Sequence, residues 1–416
     1  MVIVTIILDY TIGAVVVKAC GLVVEYNPFH HGHYYHVHKT KQITNADCII
    51  AVMSGSFLQR GEPAIIDKFH RAKAALEKGV DIVLELPYPY AVQSSTLFAK
   101  GAIYSLYEIG VSEICFGSES GNIADFIDSY NFLKKHQVKY DTNMYRFLNK
   151  GYSFPLASSK AFEIIGMKQV DMVQPNNILG FSYVKTILEN RLPIKPRTIK
   201  RIKNHYHEKA ITNKIASATS IRKELINNDW SQTVGQTLPK SSVQQLKKYK
   251  SITNQWHTWE SYFPYLHYRV ISMSTEELAQ IHGVDEGLEN RIKKTAIKAK
   301  SFQHWMEQIK TKRYTETRLQ RMFTHILTNT TKKEMEPFLN MQSVPYLRLI
   351  GMSETGQAYL NHYKKEIQLP LISSLKNKFR SLLYTDEKAM NVYYSILPSE
   401  QREKLRKQEF QLPIIL

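Results

Sequence analysis

Short apolar runs alternate with longer segments of helical spacing over the first half of the chain. Four runs have the length and composition of buried strands: residues 21–24, 48–53, 81–86 and 113–116. Helical periodicity prevails between them, at residues 69–78 and 95–110. This alternation predicts a parallel sheet with crossover helices, in which ligands bind beyond the carboxyl ends of the strands.

The second half of the chain has a different pattern. The strand signals fade after about residue 203, and helical spacing prevails at residues 221–227, 278–300 and 315–327. A polar and basic stretch near residues 235–260 separates the two patterns. We therefore predict three parts: an N-terminal extension over residues 1–20, an α/β domain with a parallel sheet over residues 21–240, and a mainly α-helical, basic domain over residues 255–416.

The N-terminal residues 1–17 are mostly apolar, as in a leader sequence. They lack a basic segment before the apolar run, Asp9 interrupts that run, and the run is too short to span a bilayer. Three interpretations stay open: an additional strand, an unstructured extension, and a start codon assigned too early, so that residues 1–16 are not part of the protein.

The composition is that of a globular protein with more than one domain: 416 residues, of which 43% are hydrophobic and 22% are charged. No further segment approaches the length of a membrane span, so no membrane partner is expected. The three cysteines, Cys20, Cys48 and Cys115, have no Cys-x-x-Cys spacing. A disulfide framework is therefore not expected, and the cytoplasm is the simplest location.

The segment after the first predicted strand carries the clearest chemical signal. The strand ends at Asn27 and Pro28, and the run His30-His31-Gly32-His33 follows where the helical pattern begins. A strand, a tight turn and a helix N-terminus form an anion site, because free backbone N–H groups and the helix dipole point into the turn. Gly32 allows a phosphate to approach the backbone, and His30 and His33 share one helix face. We predict a phosphate-binding turn with His30 and His33 as catalytic residues.

Other interpretations of the histidine cluster stay open on these residues alone. A four-residue motif also arises by chance or for structural reasons. A metal site is disfavoured because no third histidine or cysteine stands at ligand spacing, and no metal ligand is assigned. The strand before the cluster and the helix after it favour a nucleotide.

Further polar clusters follow predicted strands or begin predicted helices. They are residues 54–63, 117–119, 175–180 and 217–222, together with Arg201. Gly117 leaves room for an adenine or a ribose, and Arg201 is a partner for phosphate. The hydroxyls and the arginine of residues 217–222 form a second anion site, suited to the β- and γ-phosphates. Helix capping or turn formation explains each cluster equally well when it is taken alone.

The net charge of +18 indicates a polyanionic partner. Within residues 291–333 only Glu307 and Glu316 oppose the basic block, which comprises Arg291, Lys293, Lys294, Lys298, Lys300, Lys310, Lys312, Arg313, Arg318, Arg321, Lys332 and Lys333. Such a block on helices matches a phosphate backbone, and its interleaved aromatic residues offer stacking faces for bases. A solvated basic face over core aromatics is the alternative. The turn with Gly283 and Gly287 is a phosphate contact or a helix cap.

Several longer strings resemble one family. They are Glu25-Tyr26-Asn27-Pro28-Phe29-His30, Met53-Ser54-Gly55, Gln59-Arg60-Gly61-Glu62-Pro63-Ala64, Glu85-Leu86-Pro87, Phe116-Gly117-Ser118-Glu119 and Pro175-Asn176-Asn177-Ile178-Leu179-Gly180. The His-x-Gly-His turn and the later Ser220-Ile221-Arg222 resemble the nucleotidyltransferase superfamily, and the longer strings resemble the bacterial tRNA(Met) cytidine acetate ligases from Gly21 to the C-terminus. The resemblance implies a Rossmann-like nucleotidyltransferase domain. It also implies ATP contacts at Val23, Val24, Glu25, Tyr26, Asn27, Pro28, Phe29, His30, His31, Gly32, His33, Tyr34, Tyr35, His36, Gly117, Asn176, Arg201 and Ile202.

The activity implied by this resemblance has two steps. ATP and acetate give acetyl-adenylate, and the acetyl group then passes to N4 of the wobble cytidine of elongator tRNA(Met). We expect Mg²⁺ to accompany the pyrophosphate, held largely by the nucleotide. His31 departs from the family pattern, which often has asparagine there, and we expect its side chain to point away from the phosphates. No protein partner is inferred.

Two further functions stay in view. A small-molecule adenylyltransferase of a cofactor pathway is the alternative, and a non-catalytic RNA-binding protein with a vestigial nucleotide fold is a third hypothesis. The basic block argues against the former, and the intact His30, Gly32 and His33 argue against the latter.

Overall fold

The computed structural model describes residues 17–201 and 216–416, and all structural statements below concern these residues. Eight strands lie in them: β1 (Ala19–Val24), β2 (Cys48–Ser54), β3 (Ile82–Leu86), β4 (Glu113–Ser118), β5 (Lys195–Lys200), β6 (Leu347–Met352), β7 (Leu371–Ile372) and β8 (Ile414–Ile415).

Twenty α-helices lie in the same residues. Those of the first part are α1 (His31–Thr44), α2 (Lys68–Leu76), α3 (Tyr88–Ala91), α4 (Ser95–Glu108), α5 (Ile123–Lys135), α6 (Gln137–Asn149), α7 (Phe154–Ile165), α8 (Pro175–Glu189), α9 (Ala218–Asn228), α10 (Gln232–Thr237) and α11 (Lys240–Thr253). Those of the second part are α12 (Trp259–Ser272), α13 (Thr275–Ala279), α14 (Leu288–Ala296), α15 (Phe302–Ile309), α16 (Glu316–Leu327), α17 (Lys332–Asn340), α18 (Glu354–Tyr363), α19 (Tyr384–Tyr394) and α20 (Ser399–Arg406). None of them is both long and apolar enough to cross a membrane.

The strands form one sheet in the order β5-β4-β1-β2-β3-β6-β7, with β8 paired to β6. The first five strands are parallel, which confirms the predicted parallel sheet with crossover helices. Strands β2 and β3 follow on one side of β1, and the chain then crosses to the other side of β1, where β4 and β5 lie. The carboxyl ends of β1 and β4 therefore flank the switch point of the topology, where α/β sheets of this kind bind their ligands.

The second part of the chain returns to the sheet. Strand β6 pairs antiparallel with β3, and β7 and β8 extend that edge in parallel with β6. The sequence pattern missed these strands because β7 and β8 have two residues each and because Arg348 and Gly351 interrupt the apolar run of β6.

The structure bears on two other predictions from the sequence, the helix over residues 278–300 and the boundary near residues 235–260. The predicted helix over residues 278–300 is wrong in its extent, since Gly283 and Gly287 adopt positive φ angles of 83° and 80° and separate α13 from α14. The polar stretch in which we placed a boundary forms α11, which packs on α2 with the Ser241 hydroxyl donating to the Ala74 carbonyl at 3.0 Å. The boundary itself stays a prediction.

The apolar core has three main parts. Alternate residues of β2 contribute to opposite faces of the sheet, Ile50 and Val52 to one and Ile49 and Ala51 to the other. The third part lies among the helices of the second half, and it also includes residues of the loop between β2 and α2, namely Phe57, Leu58, Ala64, Ile65 and Ile66. This loop begins at the carboxyl end of β2, and its apolar side chains pack in the core of the helical part.

Backbone contacts secure this loop, residues 55–67, on the helical side. The Gly61 carbonyl accepts the Thr324 hydroxyl at 2.8 Å, and the Ala64 carbonyl accepts the Tyr393 hydroxyl at 2.7 Å. Gly61 has a φ of 81°, and a Cβ at this position would lie 2.3 Å from the backbone nitrogen of Arg321 on α16. Only glycine permits this approach, so the loop and α16 are in direct backbone contact.

Arg71 on α2 secures the loop on the sheet side. Its guanidinium is buried and donates hydrogen bonds to the carbonyls of Glu25, Ser54, Gly55 and Ile66. Burial lowers the pKa of Arg71, while the nearby carboxylates of Asp67, Glu25 and Glu85 oppose that shift. One side chain therefore holds together the ends of β1 and β2 and the start of α2.

Replacing Arg71 by methionine is expected to lower the free energy of unfolding by about 3 kcal/mol, because several buried carbonyls lose their donor at once. Lys73→Met is the matched control, since it removes one positive charge from a half-exposed position of the same helix. Denaturant unfolding followed by circular dichroism measures both variants. Equal stability of the two variants would contradict the role given to Arg71.

Candidate active site

The turn after β1 is held by contacts from distant parts of the chain. Asn27 accepts the Ile65 backbone N–H on Oδ1 at 2.8 Å, and its carbonyl accepts Nη1 of Arg222 at 3.0 Å. Tyr26 has a φ of 48°, and the Asn27–Pro28 peptide bond is cis. The carboxylate of Glu25 accepts the Gln59 N–H at 2.9 Å. The turn is therefore a built structure that presents the residues after it to the end of the sheet.

His30 is the N-cap of α1. Its Nδ1 accepts the Gly32 N–H at 3.0 Å, and Nδ1 of His33 accepts the His30 N–H at 3.3 Å, so the two histidines form a reciprocal capping box. Their rings stack with centroids 3.8 Å apart. Because Nδ1 of each ring is an acceptor, the proton of each neutral imidazole resides on Nε2, which is a hydrogen-bond donor.

Three histidines, His30, His33 and His36, are held in their neutral forms. Burial lowers the pKa of His30 to about 3, and electrostatic interactions with Arg201, His31 and Arg222 add to that effect. Burial and His30 lower the pKa of His33 well below its ordinary value, against the opposing contact with the Pro28 carbonyl. Burial and Arg201 lower the pKa of His36 to about 4. The neutral ring of His30, which donates from Nε2, suits a phosphate oxygen without adding charge to the buried turn.

A second group of predicted residues lies across the switch point from β1. Arg201 directly follows β5, and its side chain lies over Gly117 of β4, since a Cβ on that glycine would be 3.2 Å from Cγ of Arg201. Nη1 of Arg201 donates to Oδ1 of Asn176 at 3.0 Å. Arg201 is also the charge that acts on all three histidines discussed above. The structure thus brings Gly117, Asn176 and Arg201 to the histidine turn.

Glu119 orients this second group. Its carboxylate accepts Nδ2 of Asn176 at 2.6 Å and the backbone N–H of Asn177 at 3.0 Å. Oδ1 of Asn177 in turn accepts the Glu119 N–H at 3.1 Å. The carboxylate therefore lies at the N-terminus of α8, where the helix dipole favours it, and it fixes the amide that holds Arg201. Sequence motifs alone do not assign a role to Glu119, because that role depends on the position of the N-terminus of α8.

The remaining predicted residues have varied positions. Val23 and Val24 are in β1, His31 and Gly32 are in the first turn of α1, and Phe29 is buried against Tyr26. Tyr34 is half-buried, Tyr35 is exposed, and His36 interacts with the backbone of Cys115 on β4. Ile202 lies outside the described residues. The ATP contacts assigned to these positions stay predictions.

The predicted second anion site uses its polar groups internally. Ser217 is the N-cap of α9 and accepts the Ser220 N–H at 3.1 Å. Arg222 bridges the Asn27 carbonyl and, at 2.8 Å, the carboxylate of Glu62. The start of α9 is therefore attached to the histidine turn, and Arg222 adds positive charge beside His30.

Some buried polar atoms at this end of the sheet have no partner within the described residues. They include Nδ2 of Asn27, Nε2 of His36 and Oγ of Ser54. Over the same residues, no three His, Cys, Asp or Glu side chains are grouped as metal ligands. The Asn27 amide and the Ser54 hydroxyl are donors without partners, and such groups beside a capped helix N-terminus fit an anionic, polar ligand.

Comparison with known proteins identifies the class. The HIGH Nucleotidyl Transferase family model matches residues 17–409, so fold and site place the chain among the nucleotidyltransferases of the His-x-Gly-His type. The Rossmann-like nucleotidyltransferase fold predicted from the motifs is therefore confirmed.

Individual relatives identify the family. The tRNA(Met) cytidine acetate ligase of Oceanobacillus iheyensis is 51% identical over 401 residues, 96% of this chain and 100% of that protein. The enzyme of the same name from Bacillus subtilis (strain 168) is 44% identical and covers 94% of this chain and 96% of its own. This chain belongs to the tRNA(Met) cytidine acetate ligase family.

Two solved structures have the same fold. The apo crystal structure of Thermotoga maritima TmcAL matches with a TM-score of 0.88 at 33% identity, over 96% of this chain and 99% of that chain. A second crystal structure of that protein, bound with alpha-thio ATP, matches with a TM-score of 0.86 at 33% identity over the same shares of the two chains.

His30 predicts a specific pH dependence of stability. Its folded-state pKa of about 3 lies below the unfolded value of about 6.5, so the unfolded chain takes up a proton first. The stabilising contribution is complete above about pH 6.5 and is lost as the pH falls toward 3. His30→Asn keeps a capping acceptor but does not titrate. As the pH falls from 6 to 4, its free energy of unfolding is therefore expected to decrease less steeply than that of wild type. The two slopes should differ by about 1.4 kcal/mol per pH unit.

His30→Ala is the matched variant for the cap. It lacks both the titrating ring and the capping acceptor, so at pH 8 it is expected to be less stable than His30→Asn by about 1 kcal/mol. Denaturant unfolding at several pH values measures both effects. A wild-type pH slope in His30→Asn would show that this ring is not held neutral in the folded protein.

Proposed function

We propose that this protein activates acetate with ATP and transfers the acetyl group to N4 of the wobble cytidine of elongator tRNA(Met). The geometry at the switch point carries this proposal: neutral His30 and His33 at a helix N-terminus, with the Arg201 guanidinium held beside them. The names of the relatives and the alpha-thio ATP bound to the Thermotoga maritima protein support ATP as the nucleotide and tRNA as the acceptor.

In the first step, a carboxylate oxygen of acetate attacks the α-phosphorus of ATP. The new O–P bond gives acetyl-adenylate, the bond from the α-phosphorus to the bridging oxygen breaks, and pyrophosphate leaves with the electron pair. Negative charge builds on the phosphate oxygens, and preorganised groups stabilise it: Nε2–H of His30, the imidazole of His33, the N-terminus of α1 and Arg201. Buried, neutral imidazoles need no reorganisation at that moment, and no covalent enzyme intermediate is required.

In the second step, N4 of the cytidine attacks the acetyl carbonyl carbon. The C–N bond forms, the C–O bond to the phosphate breaks, AMP leaves, and the amine loses one proton. This step needs the anticodon beside the adenylate. The loop over residues 55–67 supplies a structural connection, because it runs from the nucleotide site into the core of the basic helical part.

The donor groups around the turn fit phosphate oxygens rather than a cation. We therefore expect Mg²⁺ to be bound through the oxygens of the nucleotide, where it neutralises the charge of the leaving pyrophosphate. The three cysteines are buried free thiols, which agrees with the cytoplasm as the location.

The small-molecule adenylyltransferase stays the alternative function. It shares the first step, so the histidine turn does not separate the two. The names of the relatives favour the tRNA acetate ligase, and so does the attachment of the loop over residues 55–67 to a basic helical part.

The first step predicts ATP–pyrophosphate exchange that depends on acetate. His33→Ala is expected to reduce the exchange by at least about a hundredfold, the scale of one lost transition-state donor, while tRNA binding in a filter assay stays unchanged. Asp128→Asn, which alters an exposed carboxylate of α5, is the control and should retain full exchange.

Three results would oppose the proposed function. Exchange that ignores acetate would exclude acetate as the activated substrate. Exchange that needs acetate without incorporation of labelled acetate into tRNA would leave only the activation step. An equal loss of exchange and of tRNA binding in His33→Ala would mean that the histidine is structural.

A further inference from the structure

The folded structure uses much of the basic block internally. Arg291 donates to the carbonyls of Gln308 and Ile309 at the end of α15, at 2.9 and 2.8 Å. Lys293 donates to the last carbonyls of α12 and to that of Met273 just after it, at distances of 2.6 to 3.1 Å. These side chains cap helix C-termini, a role for which lysine and arginine are suited, and their charges serve the fold.

Acidic residues just before the block neutralise others. Arg313 forms a bidentate ion pair with Glu286 at 2.9 and 2.6 Å, and Nη2 of Arg318 lies 4.0 Å from the same carboxylate. Lys332 pairs with Asp285 at 3.0 Å. The positive charge that the basic block offers to a partner is therefore smaller than the acidic residues within residues 291–333 indicate.

Arg321 differs from these residues. It lies on α16, it is half-buried, and it has no hydrogen bond or ion pair with any residue in the described ranges. The charged group that acts on it is another cation, Arg318. Burial and this neighbour lower the pKa of Arg321 to about 10, so it remains charged at neutral pH. A partly buried guanidinium without an anion is costly, and none of the described residues supplies a carboxylate to offset that cost.

The position of Arg321 connects it to the active site. Its backbone nitrogen is the atom against which Gly61 packs, and Thr324, one turn later on α16, donates to the Gly61 carbonyl. Two residues before Gly61, the Gln59 N–H donates to Glu25 at the start of the histidine turn. Arg321 therefore lies where the helical part meets the loop that reaches the nucleotide site.

We propose that Arg321 binds a backbone phosphate of the tRNA strand whose cytidine enters the active site. The planar guanidinium fork matches a phosphodiester in two parallel hydrogen bonds, and the anion supplies the partner that Arg321 lacks among the described residues. The phosphates of ATP are the less suitable ligand, because the arginines that act on His30 are Arg201 and Arg222. This inference rests on the proposed function, since it requires RNA as the acceptor.

The test compares Arg321→Gln with Arg313→Gln, which removes the same charge from a guanidinium already paired with Glu286. Steady-state acetylation of tRNA and acetate-dependent ATP–pyrophosphate exchange are measured for both variants. Arg321→Gln is expected to raise KM for tRNA about tenfold, with exchange as in wild type. It should also reduce the slope of log kcat/KM against log salt concentration by about one, the signature of one lost phosphate contact. Arg313→Gln should match wild type in all three quantities.

Arg321→Lys keeps the positive charge but lacks the planar guanidinium, so it distinguishes the contribution of the two parallel hydrogen bonds from that of the charge. Its salt slope should equal that of wild type, while KM for tRNA rises by less than in Arg321→Gln. The proposal is wrong if Arg321→Gln leaves KM for tRNA unchanged, or if the two glutamine variants change it equally. A parallel loss of exchange would assign Arg321 to ATP instead. Wild type without acetate-dependent exchange would refute the proposed function independently of these comparisons.

Discussion

The Arg71 guanidinium, bound to carbonyls at the ends of β1 and β2, is the interaction on which the arrangement of the site depends. Parallel strands end with backbone groups that the next strand does not pair, and in a buried position those groups need a donor. Arg71 donates to the carbonyls of Glu25, Ser54, Gly55 and Ile66. It thereby places the histidine turn after β1 beside the loop after β2, and the chemistry of the turn depends on that placement.

The loop over residues 55–67 transmits this arrangement to the rest of the molecule. Its apolar residues belong to the core of the helical part, and Gly61 allows it to contact the backbone of α16. The helical part in turn returns β6 to the edge of the sheet beside β3. Because the two parts share a core and a sheet, an RNA bound by the helices would have a defined position relative to the nucleotide. We consider this coupling the physical basis for joining activation and transfer in one protein.

Sequence patterns predicted the features that depend on local signals. Apolar runs placed β1 to β4, and the strand-turn-helix order placed His30 at a helix N-terminus. Strand β5 was missed because Lys195–Lys200 is a polar edge strand, mostly exposed or half-buried. Arg71 and Glu119 were missed as functional residues because their roles come from partners distant in sequence, a strand-end carbonyl in one case and the N-terminus of α8 in the other. The pairing of the basic block was missed for the same reason, since Arg291 and Lys293 bind carbonyls of other helices.

We propose above that a nucleotide-activated acetyl group passes from the histidine turn to a cytidine of tRNA. Mass spectrometry of nucleosides from tRNA incubated with the protein, ATP and acetate tests it most directly. We expect N4-acetylcytidine at the wobble position of elongator tRNA(Met), formed only when both ATP and acetate are present. Unmodified cytidine under those conditions, or acetylation without ATP, would contradict it.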